Sequence, residues 1–379
     1  MRTENKSNME QDGTKADETK KHFDPYAPHK IKWWGWPLLL LLIMGTVYVY
    51  RSSHNTPSEA QKAIGNEWPA TDIKKSEGQV FGTFYHITYQ SASDMQQGID
   101  SILNCVDQSL SPFNKKSVIT AINNNTDMTA DSMFTEVFTL AKKVSEDTDG
   151  AFDITVAPLV NLWGFGFKNA NNVTDARIDS IMQLVGFEKV EMTDGKVVKS
   201  NKGTMLDCSA IAKGYGVDAV GHYLESQGVK NYMVEIGGEV RLRGANPKGM
   251  LWKIGINSPK DDPTGQNNEI EKVLQVTQMS MATSGNYRNF YEKDGKKWAH
   301  TIDPRTGRPV QHNILSSTVL AQDCAEADAY ATAFMVLDLE KAKDVLKEHK
   351  DLMAFFIYSD KDGNMQEWCS ESLKSLIVK

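Results

Sequence analysis

The sequence predicts an α+β fold in which one large domain of mixed helices and strands follows a single N-terminal transmembrane anchor. Strand-like and helix-like patterns of apolar residues alternate along the chain from residue 79 to the C-terminus. An uncharged, largely apolar run at residues 33–50 precedes them. No internal repeat, low-complexity tract or break in composition divides the rest of the 379-residue chain. Together these observations favour one enzyme-like domain at residues 79–379.

Three predicted segments precede this domain. Residues 1–32 are a polar tail of mixed charge. Residues 33–50 would form about 27 Å of helix, close to the roughly 30 Å hydrocarbon core of a membrane, and aromatic residues stand at both ends. Residues 51–78 are polar, contain Pro57 and Pro69, and predict a linker.

Lysines are more frequent before the apolar run than directly after it. The positive-inside rule therefore predicts a cytoplasmic N-terminal tail and a single pass through the inner (cytoplasmic) membrane, with the domain on the periplasmic side. A cleaved signal peptide ending near Ser58-Glu59-Ala60 is the open alternative, although the segment before the apolar run is long and acidic for one.

The elements of the domain follow from the spacing of its apolar residues. Dense β-favouring residues at Val80–Tyr89 predict a strand, and helical spacing follows around residues 99–110, 134–144 and 178–185. Asp194-Gly195 predicts a two-residue turn that splits residues 190–198 into a hairpin. Later helices are predicted at 210–226 and 325–337, and later strands at 232–242, 252–257, 272–276 and 354–358.

Composition and missing motifs exclude several classes of protein. The formal net charge is −7, from 42 Lys and Arg against 49 Asp and Glu, so no basic excess suggests a nucleic-acid partner. Neither a P-loop nor a complete GxGxxG motif is present, which disfavours a P-loop kinase and a Rossmann dehydrogenase. The 4 cysteines include no CxxC pair, so zinc and thioredoxin-like chemistry are not indicated.

Several short segments combine glycine or other small residues with acids and aromatics. They are residues 148–153, 161–166, 207–215, 235–239 and 282–287. Glycine lets a ligand approach the backbone closely, and amide groups at helix N-termini suit phosphate oxygens. Together the segments would fit a planar ring that carries phosphates, although each one alone is equally typical of a turn.

Asp328 and Thr332 stand four residues apart in the predicted helix 325–337 and therefore share one face. One carboxylate and one hydroxyl form a small set of oxygen ligands, which suits Mg²⁺ because this ion also uses water and substrate phosphates. The alternative is structural: Asp328 would complement the helix N-terminus, and Thr332 would bond its own helix. The spacing alone leaves both interpretations open.

Taken together, the ordered segments resemble the ApbE-type FAD:protein FMN transferases, also called flavin transferases. The resemblance runs from about Phe81 to the C-terminal strand. It rests on LSPF at 110–113, GAFDITVAPLVNLWGFG at 150–166, DCSAIAKGYGVD at 207–218, VEIGGEV at 234–240, ATSGNYR at 282–288, HTIDPRTGRP at 300–309 and ADAYAT at 327–332. It implies an ApbE-like, T-fold-like domain that splits FAD with the help of Mg²⁺. Such enzymes transfer FMN through its phosphate to a threonine of a target protein and release AMP.

The resemblance also implies which residues form the site. Those that match the flavin pocket are Phe81, Phe113, Ala151, Phe152, Asp153, Asp207, Lys213, His300, Ile302 and Asp303. Those that match the metal site are Asp328, Thr332 and the backbone carbonyls of Ala210 and Ala325. This sequence departs from the family's pattern in two places. The family often has glycines where Ser209 and Ala210 stand, and often a methionine where Phe81 stands.

Three residues are expected to take part in catalysis. Mg²⁺ held by Asp328 would neutralise charge on the phosphates, and Lys213 would supply a second positive charge. His300 is the candidate for accepting the proton of the acceptor threonine, with Asp303 as the alternative acid. Two competing functions stay open: hydrolysis of FAD to FMN and AMP, or an anchored protein that carries FAD without turning it over.

The resemblance further implies that the acceptor is a subunit of a membrane redox complex, with its threonine in a short Ser/Thr-Gly-x-Thr type motif. No convincing copy of that motif occurs in this sequence, so self-modification is not indicated. Cys208 and Cys324 each lie near a proposed metal ligand and could be adjacent in space, but their spacing predicts no disulfide.

Overall fold

Strands and helices of the chain are seen in a computed structural model, which describes residues 63–165, 173–258, 270–285, 290–293, 296–299, 301–310 and 313–378. The strands are β1 (Ile73–Val80), β2 (Thr83–Gln90), β3 (Val190–Thr193), β4 (Lys196–Lys199), β5 (Tyr232–Ile236), β6 (Glu239–Arg243), β7 (Trp252–Asn257), β8 (Ile270–Val276), β9 (Met279–Gly285), β10 (Phe290–Lys293), β11 (Lys296–Ala299), β12 (Ile302–Asp303), β13 (Arg308–Pro309), β14 (Ile314–Ala321), β15 (Met353–Ser359) and β16 (Met365–Cys369). The helices are α1 (Gln96–Leu110), α2 (Val118–Asn123), α3 (Ser132–Asp147), α4 (Ala157–Trp163), α5 (Asp175–Met182), α6 (Ala212–Ser226), α7 (Cys324–Val336), α8 (Leu339–Glu348) and α9 (Glu371–Lys374).

An antiparallel sheet of eight strands forms the centre of the described fold, in the order β1-β2-β5-β6-β9-β14-β15-β16. The remaining strands pair as β3–β4, β7–β8, β10–β11 and β12–β13. This arrangement confirms the predicted α+β class. The predicted helices that become α1, α3, α5, α6 and α7 are also confirmed, as is the β3–β4 hairpin at Asp194-Gly195.

The strand predicted at Val80–Tyr89 is wrong at its start, because the chain reverses there. β1 ends at Val80, and β2 begins at Thr83 after a turn formed by Phe81 and Gly82. The φ angles of these two residues are 52° and 75°, which is the left-handed conformation that two-residue hairpin turns need. A phenylalanine is not a typical turn residue, so the apolar pattern concealed the turn.

The central sheet buries a different cluster of side chains on each of its faces. Tyr85, Ile87 and Tyr89 of β2 pack with residues of α1 and α6. Val240 and Leu242 of β6 pack with residues of β7 and β8, on the opposite face. Because side chains alternate along a strand, Glu239 and Arg241 of the same strand face the helices. These two residues are important for the site described below.

The domain begins earlier than the predicted boundary at residue 79. β1 pairs with β2 along its whole length, and Trp68 is buried against Trp252, with 6.1 Å between the ring centroids. β1 is the edge strand of the sheet, and alternate side chains on it face solvent, which explains why its sequence resembles a polar linker.

The predicted cytoplasmic tail, the predicted anchor at 33–50 and the first part of the predicted linker lie outside the described residues. Among the residues that the structure does describe, no helix has both the length and the apolar character needed to cross a membrane. The anchor therefore stays a prediction from the sequence.

Candidate active site

A cleft of about 1680 Å³ opens where two hairpin turns meet the N-terminus of α6. Phe81 and Gly82 form the turn between β1 and β2, and Gly237 and Gly238 form the turn between β5 and β6. The two turns touch, because a Cβ placed on Gly237 would lie 2.8 Å from Cγ2 of Thr83. Glycine is required at that position both for this approach and for its φ of 62°.

Most of the residues predicted to form the site lie on the wall of this one cleft. They are Phe81, Phe113, Ala151, Phe152, Asp153, Asp207, Ala210, Lys213, Ile302, Asp328 and Thr332. Asp303 and Ala325 are described but do not line the cleft. His300 lies outside the described residues. The structure thus brings together residues that are far apart in the chain.

Two aromatic residues stand on the cleft wall. The ring of Phe81 lies against α6 at Gly216, where an added Cβ would approach the ring to 2.6 Å. Phe113 is 72% exposed, which is unusual for a phenylalanine. Phe81 also adopts a backbone conformation that is costly for a residue other than glycine. Exposed or strained aromatics at a cleft are typical of positions that meet a ligand.

Two predicted flavin-pocket acids shape the loops around the cleft. Asp153 Oδ1 accepts hydrogen bonds from the amide and the hydroxyl of Thr155, each at 2.7 Å. Burial nevertheless raises the pKa of Asp153. Asp207 Oδ1 accepts from the Ser209 amide at 2.8 Å, and the Asp207 amide donates to the Ile154 carbonyl at 2.7 Å. These bonds fix the loop that leads into α6.

Lys213 is paired with a carboxylate that the sequence analysis did not identify. Its ammonium group contacts Glu239 Oε1 of β6. The Glu239 side chain is 3% exposed, and its second oxygen, Oε2, is buried with no hydrogen-bond partner among the described residues. Burial raises the pKa of Glu239 to about 7, which Lys213 opposes and the nearby Asp328 reinforces. Burial alone would lower the pKa of Lys213, but the Asp328 and Glu239 carboxylates raise it above the usual value.

Asp328 is buried on α7 and reaches across to α6. Its Oδ2 accepts a hydrogen bond from the Gly214 amide at 3.0 Å, while no donor among the described residues bonds to its Oδ1. The carbonyl of Ala210 is also without a described amide partner, because the Gly214 amide that would close the first turn of α6 binds Asp328 instead. One carboxylate oxygen and one carbonyl oxygen, from two residues that line the same cleft, are thus available.

This donor set fits a magnesium ion. Thr332 lies one turn after Asp328, and its hydroxyl is bonded to the hydroxyl of Ser284 at 3.1 Å. Lys213, Glu239 and Asp328 leave a net negative charge whenever both acids are ionised, which favours a cation. The described residues contain no cluster of three His, Cys, Asp or Glu side chains that could hold a metal. One carboxylate, a hydroxyl and carbonyls suit Mg²⁺, because its remaining ligands are water and phosphate.

Asp303 and the cysteines differ from the other candidates. The carboxylate of Asp303 is held by Arg305, with Nε at 2.9 Å and Nη2 at 3.0 Å, and Asp303 does not line the cleft. All four cysteines are free thiols. Burial raises the pKa of the Cys208 and Cys324 thiols, so neither is an activated nucleophile.

Sequence reasoning missed Glu239, Ser284 and Asp218, which bond to Lys213, Thr332 and the N-terminus of α7 respectively. Glu239 and Ser284 lie inside the short glycine-containing segments at 235–239 and 282–287, and Asp218 is the last residue of the DCSAIAKGYGVD motif at 207–218. The signal that could have identified Glu239 is an acid placed directly after a two-glycine turn, at the start of a strand in which charged and apolar residues alternate.

Proteins of known family are similar to this chain. The profile of the ApbE family matches residues 81–356. The FAD:protein FMN transferase of Vibrio cholerae serotype O1 is 36% identical over 326 residues, which cover 83% of this chain and 96% of the relative. The solved flavin transferase ApbE from Vibrio cholerae gives a TM-score of 0.72 at 34% identity, covering 80% of this chain and 99% of that one. The apo form of the flavinyl transferase ApbE from Pseudomonas stutzeri gives 0.72 at 29% identity, covering 81% of this chain and 97% of that one.

Proposed function

This chain belongs to the ApbE family and is an FAD:protein FMN transferase, and we propose that its reaction requires Mg²⁺ and releases AMP. We further propose that the acceptor is a threonine hydroxyl of a target protein, which becomes joined to FMN through a phosphoester bond. The observation that carries the proposal is the convergence of Lys213, Asp328, Thr332 and the Ala210 carbonyl on one cleft.

In the proposed step, the threonine oxygen forms a bond to the phosphorus of the FMN half of FAD. The bond between that phosphorus and the bridging oxygen breaks, and its electron pair leaves with AMP. When bound, Mg²⁺ would supply charge neutralisation at the phosphate oxygens. The proton of the threonine hydroxyl needs an acceptor, for which we propose His300, because Asp303 is already bonded to Arg305.

The chain's own residues would orient FAD before the step. Glu239 holds the ammonium group of Lys213 at the cleft wall, so that its charge is in place before the pyrophosphate arrives. The Gly214 amide, which donates to Oδ2, restrains the Asp328 side chain and leaves Oδ1 without a described donor. Phe81 and Phe113 offer aromatic faces for a planar flavin ring.

We propose that the enzyme acts at the periplasmic side of the inner membrane, anchored by residues 33–50. Its acceptor would then be a subunit of a membrane redox complex that exposes a threonine on the same side. The support for this location is the charge asymmetry around the apolar run.

The experiment that tests the function uses the full-length protein in detergent with FAD, Mg²⁺ and a candidate acceptor. Transfer would give an acceptor that fluoresces after denaturing electrophoresis and gains the mass of FMN. Free FMN without labelled acceptor would indicate hydrolysis, and unchanged bound FAD would indicate a carrier. An acceptor with its threonine replaced by alanine is the matched control. Labelling that continues after chelation of Mg²⁺ would contradict the metal requirement.

A further inference from the structure

The two helices that meet at the candidate metal site are not capped by their own residues. The N-cap residue of α6 is Ile211, whose side chain cannot accept a hydrogen bond. The N-cap residue of α7 is Asp323, whose side chain makes no capping bond. The first amides of a helix have no partner within the helix and need acceptors when they are buried. Other residues must therefore supply them.

Each helix is capped by a carboxylate of the other helix. Asp328 of α7 accepts from the Gly214 amide in the first turn of α6 at 3.0 Å. Asp218 of α6 accepts from the first two amides of α7, Cys324 at 2.9 Å and Ala325 at 2.8 Å. Both carboxylates are buried, with 3% exposure for Asp328 and 4% for Asp218. The caps are reciprocal, so moving either helix breaks bonds of both.

The close approach of the two helices depends on the absence of a side chain at position 214. A Cβ on Gly214 would lie 2.4 Å from the Cys324 carbonyl oxygen and 2.8 Å from Cα of Ala325. Both contacts are with backbone, which cannot rotate away. The two N-termini are therefore held at one separation, with the Asp218 and Asp328 carboxylates joining them.

Arg241 holds Asp218 from the sheet. Its Nη1 donates to Asp218 Oδ1 at 2.6 Å and to Asp323 Oδ1 at 2.8 Å. Arg241 is a buried residue of β6, two residues after Glu239, which pairs with Lys213. Two ion pairs thus fix α6 against β6. In one of them α6 supplies the positive charge, at Lys213, and in the other it supplies the negative charge, at Asp218.

We propose that Asp218 is a positioning residue for the metal site, a role that rests on the proposed function. Asp218 binds the amide of Ala325, and Asp328 follows one turn later on α7. A change in the position of the α7 N-terminus therefore moves Asp328 Oδ1 relative to the Ala210 carbonyl of α6. Asp218 touches neither of these oxygens, so it acts by setting the distance between the helices that carry them.

A comparison of two single substitutions tests this role. Asp218→Asn removes the negative charge that pairs with Arg241. It also replaces one of the two carboxylate oxygens that accept hydrogen bonds from α7 amides. Asp323→Asn is the matched control. It removes a negative charge that pairs with the same nitrogen of Arg241 at the same helix end, but the Asp323 side chain makes no capping bond.

The probe is Mn²⁺ alone, titrated into the full-length protein and followed by electron paramagnetic resonance. We expect Mn²⁺ affinity about 10- to 100-fold weaker for Asp218→Asn and within about 3-fold of the unmodified protein for Asp323→Asn, as for a surface ion pair.

Equal Mn²⁺ affinities for Asp218→Asn and the unmodified protein, with both folded by circular dichroism, would overturn the proposal. So would an equal loss in both variants, because it would show a charge effect rather than a capping effect. Activity gives a second readout: Asp218→Asn should raise the Mg²⁺ concentration needed for half-maximal rate, and saturating Mg²⁺ should restore kcat.

A measurement on the unmodified protein keeps the proposal testable if Asp218→Asn does not fold. Because coupling is reciprocal, Mg²⁺ bound at Asp328 should slow hydrogen exchange at the amides of Gly214, Cys324 and Ala325. Unchanged exchange in protein that binds Mg²⁺ would contradict the inference. Failure of FMN transfer by the unmodified protein would contradict the proposed function instead, while the order of Mn²⁺ affinities would still test Asp218.

Discussion

The substitution Gly214→Ala tests the contact between α6 and α7 most directly. Its Cβ would meet the Cys324 carbonyl at 2.4 Å, whereas ordinary contact begins at 3.4 Å, so the helix ends must separate by about 1 Å. Overpacking of this kind costs about 1–3 kcal/mol. Weakening the bond from the Gly214 amide to the Asp328 carboxylate costs about 1.5–3 kcal/mol more. Alanine returns about 1 kcal/mol of helix propensity, so the net loss is about 1.5–5 kcal/mol.

The assay is thermal unfolding of the full-length protein together with Mn²⁺ titration. For a domain of this size a loss in that range should lower Tm by roughly 2–8 °C and weaken Mn²⁺ binding by at least about tenfold. Gly203→Ala is the control, because its Cβ would meet flexible side-chain atoms of Leu184 at 3.1 and 3.2 Å. A Gly214→Ala protein with the Tm and the Mn²⁺ affinity of the control would refute the reasoning.

Four further outcomes are expected. Asp328→Ala should abolish Mn²⁺ binding and Mg²⁺-dependent flavinylation, and full retained activity would contradict the metal assignment. Chelation of the divalent cation should weaken FAD binding at least about tenfold, measured by quenching of flavin fluorescence. Burial raises the pKa of Glu239 from the ordinary 4.5 to about 7, so the stability contributed by its protonated form is fully present below pH 4.5 and is lost as pH rises through 7, where the carboxylate ionises beside Lys213. Glu239→Gln should flatten that slope in urea unfolding curves measured at several pH values. A thiol reagent should label exposed Cys105 in the native protein, but buried Cys208 and Cys324 only after unfolding.

The spacing of Asp328 and Thr332 left a metal site and a purely structural role open, and the structure combines parts of both. Asp328 does cap a helix, but it caps α6 rather than its own helix. Its other oxygen stays available, because no described donor bonds to it. Thr332 bonds to Ser284 of β9 and not to its own helix. Spacing within one helix could not distinguish these outcomes, since both partners come from other elements.

Local patterns predicted the elements better than the contacts between them. The Asp194-Gly195 turn follows from two adjacent residues, and the structure confirms it. The Phe81-Gly82 turn was missed, because it is fixed by packing against Gly216 of α6, far along the chain. Lys213 was identified by resemblance, whereas its partner Glu239 becomes visible only once β6 is placed beside α6.

The charges on the cleft wall determine what attracts FAD. Its described residues include two lysines, Lys213 and Lys253, against six acids, and the charge of Lys213 is already matched by Glu239. The positive end of α6 is matched as well, since the Gly214 amide bonds to Asp328. An empty cleft of this composition repels a pyrophosphate dianion. A divalent cation at Asp328 reverses the local sign, because it exceeds the charge of that carboxylate and can share phosphate oxygens. FAD binding should therefore depend on the metal more strongly than on Lys213 alone.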